Sequence, residues 1–469
     1  MSSRLMMPVL IALAAGPAIA GDPPWSEKVV GHSLSFAEAL TLSQKDFPAL
    51  VERGRTLFTA KFTPADGQGR PKATQAIIPT LRKRGETPSH ERTSGPDTSA
   101  CSSCHNDPSI GAAADFNSNA FVSEGFDIAD FDSVDPQFSN ERNPVTLTGD
   151  GLVELLAREI TADLKAERIA GLKQASATGQ DVTVKLESKG VSYGELTISP
   201  DGSVDLSKLD GIDTDLVLRP FSRKGVMTSL RQFTVNALNT HQGMEAIERF
   251  GIRWTGTDDF DGDGVKNEVD EGDVSAITYF MATLPPPVRR TDLPENWKAA
   301  AAQGEKTFSE IGCAACHRPT LPLKSLVFQD PGPYDAAGTL RAGDKAQAIS
   351  VDFATLPFAK TLARNDKGEY LVPLFSDLKR HTVVDEGVAD FGNELLSQRF
   401  VERDVFLTTV LWGVGSTAPY GHRGDFTTLD GVIRAHGGEA RAARDAFVKA
   451  DDDTRSNLIA FLKTLVIPK

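Results

Sequence analysis

All four cysteines of this chain lie in two copies of one five-residue pattern, CSSCH beginning at Cys101 and CAACH beginning at Cys313. C-x-x-C-H is the attachment signature of c-type haem: the thiols form thioether bonds with the vinyl groups, and the adjacent histidine becomes an axial iron ligand. The sequence therefore predicts two covalently bound c-type haems. The residues predicted to attach them are Cys101, Cys104, His105, Cys313, Cys316 and His317.

Two other interpretations of the cysteines are weaker. A structural zinc site would need four ligands to converge from clusters that lie far apart in the chain, although each cluster already ends in its own histidine. Disulfides within the C-x-x-C motifs would give no reason for a histidine at the same following position twice. Haem attachment accounts for both cysteines and the histidine of each motif.

The first twenty residues have the composition of a secretory signal peptide, with one arginine, an apolar run from Met6 to Ala15 and small residues at Ala18 and Ala20. No later stretch approaches about 20 consecutive apolar residues, so the sequence predicts no membrane span. We expect an exported, periplasmic protein. Its net charge of -14 disfavours nucleic acid and anionic membranes and favours a neutral or basic protein partner.

The chain is duplicated beyond the haem motifs. Gly54 and Phe58 precede the first motif with the same mutual spacing that Gly304 and Phe308 have before the second. Each copy closes on a segment with apolar residues at i, i+3, i+4 and i+7, containing FMATL in the first and FLKTL in the second, which predicts a helix. The prolines of PPPVRR, residues 285–290, cannot continue the first closing helix.

This pattern predicts a mainly α fold with two cytochrome c-like haem domains in tandem and a small β insertion in the first. Alternating Val182, Val184 and Leu186 with a later PDG turn predict the insertion, and a long helix is expected over Gly151–Gln174. The predicted divisions are a signal peptide at 1–20, an N-terminal extension at 21–47, a first domain at 48–284 with the insertion at about 180–210 and a calcium-type loop at 259–270, a linker at 285–295 and a second domain at 296–469.

A third duplicated segment leads to two further histidines. RPFSRKGVMTSL, beginning at Arg219, aligns without a gap on APYGHRGDFTTL, beginning at Ala418. The helix predicted after it reaches His241 in the first copy and His436 in the second, on the same face as the preceding leucine. A histidine on an apolar helix face is more often a satisfied core residue, but its recurrence once per haem motif favours a sixth iron ligand in both copies.

Other polar residues have less specific signals. Arg142 and Arg403 each follow a glutamate and fit either haem propionates or surface salt bridges. Arg223 stands opposite His422 in the alignment, and the role of His422 stays open. Glu154 lies off the apolar stripe of the long helix, where a solvated face is expected and an acid for peroxide chemistry is the alternative.

DFDGDGVKNEVD, residues 259–270, matches a calcium-binding loop, in which hard oxygen ligands at alternate positions wrap one hard cation. It ends in aspartate where an EF-hand has glutamate, and it resembles the single loops of dockerin-type modules. A solvated acidic turn is the alternative. The predicted calcium ligands are Asp259, Asp261, Asp263, Val265, Asn267 and Asp270.

The two haem motifs, FLKTL and the segment LWGVGSTAPYGHRGDFTTLDGVIRAHGGEA together resemble the bacterial di-haem cytochrome c peroxidase superfamily, and within it the di-haem oxidoreductase, thiol oxidoreductase-like branch. The resemblance covers most of the mature chain. In relatives, the residue fourteen positions after the histidine of the PY-x-H-x-G motif is the sixth ligand of the second haem, as methionine or tyrosine. Here that residue is His436.

The resemblance implies an oxidoreductase whose C-terminal haem takes electrons from a small redox protein, a c-type cytochrome or a cupredoxin, and whose N-terminal haem reduces hydrogen peroxide. His241 would then have to leave the first iron on activation. The distal histidine of relatives has no counterpart between His105 and His241, and the tryptophan between their haems has only Trp254 and Trp412 as candidates. Two alternatives are an electron-transfer protein with both irons closed by histidine, and a peroxide- or oxygen-dependent oxidase of an organic or protein substrate.

Overall fold

The computed structural model describes residues 25–69, 73, 76, 78–81, 98–122, 139–385, 389–392 and 401–468, with only the backbone described at 118–122, 139–141 and 389–390. The predicted signal peptide, residues 1–20, lies outside the described residues. None of the described helices combines the length and the apolar composition that crossing a bilayer requires.

Helices frame both haem motifs, in a first half that runs to residue 284 and a second half that follows it. In the first half they are α1 (Phe36–Lys45), α2 (Phe47–Thr59), α3 (Asp150–Thr178), α4 (Leu230–Ala237), α5 (Ile247–Phe250), α6 (Ile252–Thr255) and α7 (Glu271–Ala282). In the second half they are α8 (Glu295–Glu310), α9 (Ala389–Gly392), α10 (Leu429–Arg434), α11 (Arg441–Lys449) and α12 (Asp452–Leu462). The predicted long helix is confirmed as α3, and a π-helical turn, Leu238–Gln242, continues α4.

In each half, the helix that precedes the haem motif crosses the last helix at a glycine. A Cβ at Gly54 of α2 would lie 2.0 Å from the carbonyl oxygen of Ala276 in α7, and a Cβ at Gly304 of α8 would lie 1.9 Å from that of Asn457 in α12. No other residue permits so close an approach of the two backbones. The glycines that revealed the duplication therefore mark the tightest helix contact in each half.

One turn beyond each crossing glycine, a phenylalanine packs between the closing helix and the haem-motif histidine. Phe58 lies 6.5 Å from His105 between ring centroids, with an interplanar angle of 50°. Phe308 lies 6.4 Å from His317, with an angle of 49°. Each phenylalanine also contacts a phenylalanine of the closing helix, at 5.1 Å in α7 and 5.5 Å in α12. The two halves thus repeat one arrangement of helix pair, phenylalanine and histidine.

The turn before α4 is repeated before α10, as the gapless alignment predicts. Phe221 forms an antiparallel β-bridge with Met227 in the first copy, and Tyr420 forms one with Phe426 in the second. Ser229 caps α4 by accepting from the Gln232 amide, and the aligned Thr428 caps α10 by accepting from the Gly431 amide. Residues that align between these two segments therefore occupy equivalent positions in the two turns.

Strands form small antiparallel sheets. The predicted β insertion is confirmed as the meander β3–β4–β5, which packs on α3. The second half holds more strand than a mainly α fold suggests, because residues 321–382 run as short segments with alternating burial between the helices. The strands are β1 (Ser118–Val122), β2 (Ser139–Arg142), β3 (Val182–Ser188), β4 (Val191–Ile198), β5 (Val204–Asp205), β6 (Val288–Arg289), β7 (Leu321–Leu323), β8 (Val327–Asp330), β9 (Ile349–Asp352), β10 (Ala363–Arg364), β11 (Tyr370–Val372), β12 (Arg380–Thr382), β13 (Val405–Leu407) and β14 (Leu465–Val466). The other sheets are β1–β2, β10–β11–β7, β12–β13, β14–β6 and β8–β9.

The larger hydrophobic core is shared between the halves. Besides residues of α2, α3 and α7 it contains Leu321, Phe328, Leu374 and Trp412. A buried ionic group strengthens this junction: the Arg231 guanidinium on α4 donates to Asp330 Oδ2 at 2.6 Å and pairs with both oxygens of a glutamate on α5 at 2.9 and 3.0 Å. The predicted division at 285–295 stays a prediction, but residues 321–374 pack against the first half.

We expect Gly54→Ala and Gly304→Ala each to destabilise the protein by about 3 kcal/mol, because the added methyl group overlaps a helix carbonyl and the crossing must open. Thermal melting followed in the Soret band measures the loss. The control is Lys306→Ala on the exposed side of α8, which should change stability by less than about 0.5 kcal/mol. Equal melting temperatures for the glycine variants and the control would contradict the close crossing.

Candidate haem centres

The two haem motifs fold alike. Cys101–Ser103 and Cys313–Ala315 form 3-10 turns, and the following histidine closes each turn by donating its amide to the carbonyl of the first cysteine, at 3.1 Å for His105 and 3.0 Å for His317. The four thiols form no disulfide. Two sulfur atoms and one imidazole therefore lie on one compact segment, as attachment to one edge of a rigid ring requires.

In the second half, His436 faces His317. Their ring centroids are 6.5 Å apart and their planes meet at 65°. An iron between two imidazoles, with metal–nitrogen bonds of roughly 2 Å and each ring centre about 1.2 Å behind its nitrogen, separates the ring centres by about 6.4 Å. The spacing of the two histidines thus fits one haem iron between them.

Hydrogen bonds fix the orientation of both rings. His317 Nδ1 donates to the Phe375 carbonyl at 3.2 Å, and His436 Nδ1 donates to the Val432 carbonyl at 2.8 Å. These bonds leave the two Nε2 atoms as the basic nitrogens, which is the tautomer that ligates a metal. Burial, and then the nearby His436, lower the pKa of His317 to about 4. Both imidazoles are therefore neutral at physiological pH and ready to bind iron.

The first centre has the same proximal half. His105 Nδ1 donates to the Val145 carbonyl at 2.9 Å, which again leaves Nε2 for the iron. Burial is the main reason that the pKa of His105 falls to about 4, and His241 contributes to the decrease. The two predicted ligands of this centre therefore lie within electrostatic reach of each other.

His241 reaches the first centre on a different local structure from His436. It lies in the π-helical turn after α4, and its carbonyl accepts from the Thr98 amide at 3.2 Å. Asn239, in the same turn, is fully buried and both polar atoms of its amide lack a hydrogen-bond partner. His436, by contrast, directly follows the ordinary C-cap of α10. The helix that was predicted to reach His241 therefore ends in a π turn.

Glu154 differs from the expectation of a solvated face, because its side chain is fully buried. It pairs with Arg158 four residues later, and its Oε2 accepts from the Leu230 amide at 2.8 Å. A carboxylate at the start of a helix stabilises the orphan amides there. Glu154 therefore positions α4, the helix that leads to His241.

The predicted calcium loop brings together three of its carboxylates. Oxygens of Asp259, Asp261 and Asp263 lie within 4.8 Å of one another. Asp270 instead caps α7 by accepting from the Glu271 amide at 2.6 Å. The remaining predicted ligands, Val265 and Asn267, lie on the same loop, which Asn267 closes by donating its amide to the Asp258 carbonyl. Two carboxylates that lie behind the loop, Glu245 and Glu268, were not predicted as ligands. Glu245 lies outside the motif, and Glu268 occupies a position of the motif that is not a ligand in EF-hands.

Trp412 packs near the first candidate centre, and its neighbour Leu411 is bonded near the second. A Cβ at Gly149 would meet its indole ring, so the ring packs directly on the segment that follows the His105 acceptor, Val145. The neighbouring Leu411 amide donates to the Leu374 carbonyl, one residue before the acceptor of His317. Trp254, the other tryptophan considered from sequence, instead stacks with Arg253 and Arg341.

A group of cations surrounds His422 where the halves meet. Burial, followed by Arg142, Arg223 and neighbouring cations, lowers the pKa of His422 to about 2. Arg223 Nε is buried without a hydrogen-bond partner. Arg403, by contrast, is exposed. A buried guanidinium nitrogen without a partner matches a carboxylate ligand such as a propionate, which favours Arg223 over the exposed Arg403 in that role.

His381, which carried no sequence signal, is held beside the second haem motif. Its Nε2 and Nδ1 bond Asp377 Oδ2 at 2.9 Å and Glu439 Oε2 at 2.7 Å. Although burial opposes a charge, hydrogen bonds to Asp377, Cys316 and Glu439 raise the pKa of His381 to about 11. The second candidate centre therefore has a fixed imidazolium near the Cys316 sulfur.

We expect His381→Gln to cost about 2 kcal/mol at pH 6, because it removes a charge-assisted hydrogen bond from a buried pair. Since the folded protein raises the pKa from its ordinary 6.5 to about 11, the stabilisation is complete below pH 6.5 and declines as pH rises towards 11. Melting temperatures of both proteins across this range measure it. The control is His32→Gln at an exposed site; a pH-independent deficit in His381→Gln would contradict an imidazolium.

Part of the second half matches a known protein family. Residues 353–465 match the family described as "Di-haem oxidoreductase, putative peroxidase". None of the curated proteins compared with the chain is significantly similar to it. Among solved structures, hydrazine synthase of Kuenenia stuttgartiensis is 12% identical over 98% of this chain and 100% of that chain, with a TM-score of 0.35. A MauG-like protein associated with microbial copper homeostasis is 13% identical over 67% of this chain and 88% of that chain, with a TM-score of 0.28, and at such scores neither supports an inference about the fold. The match over residues 353–465 agrees with the family resemblance expected from the sequence.

Proposed function

We propose that the protein is an exported di-haem c-type cytochrome with two cytochrome c-like haem domains, which takes electrons at the C-terminal haem and reduces hydrogen peroxide at the N-terminal haem. The observation that carries this proposal is the 6.5 Å separation of His317 and His436, which fits an iron with two fixed histidine ligands. A centre closed on both faces suits electron transfer. The first centre is then the place for chemistry.

The chain's own residues divide the work. When bound, the haems supply one-electron transfer, and the first of them supplies the iron position at which peroxide is reduced to water. Cys101, Cys104 and His105 hold that haem from one side. His241, on the π turn, closes the other side at rest and moves away on activation. π turns are less favourable than α-helix and often occur at functional sites, which supports a movable ligand there.

The electron partner we propose is a small c-type cytochrome or cupredoxin. The net charge of -14 favours a partner with a basic or neutral surface, met in the periplasm after removal of the signal peptide. We also propose that the loop carrying Asp259, Asp261 and Asp263 binds Ca²⁺ as a structural brace before α7.

A second candidate function is electron transfer alone. The electrostatic coupling of His105 and His241 favours it, since two histidines could close the first iron as firmly as the second. Oxidation of an organic or protein substrate is the third function that the family resemblance leaves open. The behaviour of His241 separates the first two.

Electron paramagnetic resonance of the oxidised and half-reduced protein tests the assignment. We expect low-spin iron at the second centre, and a high-spin signal from the first centre that appears on half-reduction. His436→Ala should convert the iron of the second centre, which is half of the total haem iron, to high spin. His241→Ala should make the first centre high spin without half-reduction and remove any activation lag in peroxide turnover.

The matched control is His32→Ala, which removes an exposed histidine and should leave both the spectra and the turnover unchanged. Two low-spin haems in every redox state, with no peroxide turnover, would replace the peroxidase proposal with electron transfer. A low-spin second centre in His436→Ala would refute the ligand assignment itself.

A further inference from the structure

Behind the predicted calcium loop lies a second group of carboxylates. Oxygens of Glu245, Asp261 and Glu268 lie within 4.8 Å of one another. Glu245 and Glu268 are only 5% and 4% exposed, whereas the loop residue Asp263 is exposed. Asp261 belongs to both groups. The inner group therefore joins the loop to the segment that follows the π turn.

Backbone amides hold one oxygen of each glutamate. The Glu245 amide donates to Glu268 Oε2 at 2.7 Å, and the Phe260 amide donates to Glu245 Oε2 at 3.2 Å. The other oxygens, Glu245 Oε1 and Glu268 Oε1, are buried and have no hydrogen-bond partner. The backbone thus fixes the orientation of both carboxylates and leaves one oxygen of each for something else.

The loop at residues 67–69 closes this group from the outside. A Cβ at Gly69 would lie 2.6 Å from Asp261 Oδ2, and a Cβ at Gly67 would overlap the Glu268 carboxyl group. Gly67 also has a φ of 100°, which favours glycine. Chain segments distant in sequence therefore meet around three carboxylates. None of the contacts described above comes from a lysine or an arginine.

An arrangement of this kind is costly unless a cation neutralises it. Glu245 and Glu268 are both buried, and a buried carboxylate charge is costly when no opposite charge pairs with it. Buried polar oxygens normally have partners, so the unpartnered oxygens need either protons or a metal ion. Two oxygens bound to one Ca²⁺ at 2.3–2.6 Å lie at most about 5 Å apart, which the observed spacing satisfies.

We propose that Glu245, Asp261 and Glu268 bind a divalent cation, Ca²⁺, in a buried site that adjoins the loop and shares Asp261 with it. The all-oxygen ligand set excludes the nitrogen and sulfur donors that zinc prefers, and oxygens from two segments, the 259–270 loop and the segment after the π turn, suit the flexible coordination of Ca²⁺ better than the strict octahedron of Mg²⁺. The ion would tie the 67–69 loop and the segment after the π turn to the start of α7.

The site is tested on the purified di-haem protein by removing metal with a chelator, restoring Ca²⁺, and measuring bound calcium by mass spectrometry and affinity by calorimetry. Glu268→Gln and Glu245→Gln keep the side-chain shape and remove one charge each. We expect each variant to bind one Ca²⁺ fewer than the native protein, or to bind it about 100-fold more weakly. Asp258→Asn is the matched control: it removes a charge beside the loop, where Asp258 pairs with Lys266, and should leave the calcium content unchanged.

Melting in chelator separates a lost ligand from a damaged fold. Because the variants relieve repulsion between buried carboxylates, they should melt at or above the native temperature in chelator, and Ca²⁺ should raise the native melting temperature more than theirs. Native calcium content in both Glu268→Gln and Glu245→Gln would overturn the proposal. So would calcium that is lost in Asp263→Asn and retained in Glu268→Gln, because the ion would then lie in the outer loop alone. Neither readout depends on peroxide turnover, so the proposed function can fail while this site stands.

Discussion

Contact between two helix backbones at a glycine determines the geometry of each half of this molecule. At Gly54 and at Gly304 the helix that precedes the haem motif lies against a carbonyl of the closing helix, so the two axes have almost no freedom to separate. The phenylalanine one turn later is then fixed beside the closing helix, and its ring contacts the haem-motif histidine at nearly the same distance in both halves, 6.5 and 6.4 Å. Because the crossing residue is a glycine, without a Cβ, the helices approach closely enough to fix the phenylalanine and, through it, the position of each haem-motif imidazole.

Sequence reasoning was most successful where one chemical requirement fixes several residues at once. The two C-x-x-C-H motifs form matching turns, and the segments that align without a gap form matching turns before α4 and α10. Reasoning was weaker where long-range packing decides. Nothing local indicates that Glu154 is buried against the start of α4, that His381 lies between two carboxylates, or that Glu245 meets Glu268, because each depends on segments distant in sequence. The short strands of the second half were missed because too few residues alternate in each strand to form a recognisable pattern.

The two candidate centres differ more in how the proposed sixth ligand is positioned than in the turn that the haem motif forms. His436 stands immediately after a helix that ends normally, with its ring bonded to Val432 in the preceding turn. His241 stands inside a π turn, whose wider ring of backbone makes room for one more residue per turn at some cost in stability. Duplication has thus kept the proximal side of both centres and altered the distal side of one. This asymmetry is what a division between electron entry and chemistry needs.

The shared hydrophobic core limits how this architecture can be taken apart. Residues 321–374 follow the second haem motif in sequence, yet Leu321, Phe328 and Leu374 pack in the core of the first half. If the chain were cut at the proline-rich segment 285–290, the C-terminal fragment would expose the apolar side chains of residues 321–374. The N-terminal fragment would expose the core surface that these side chains cover. Exchange of one haem unit between relatives, by recombination or by engineering, would therefore have to carry these strands along with the unit they cover rather than with the motif they follow.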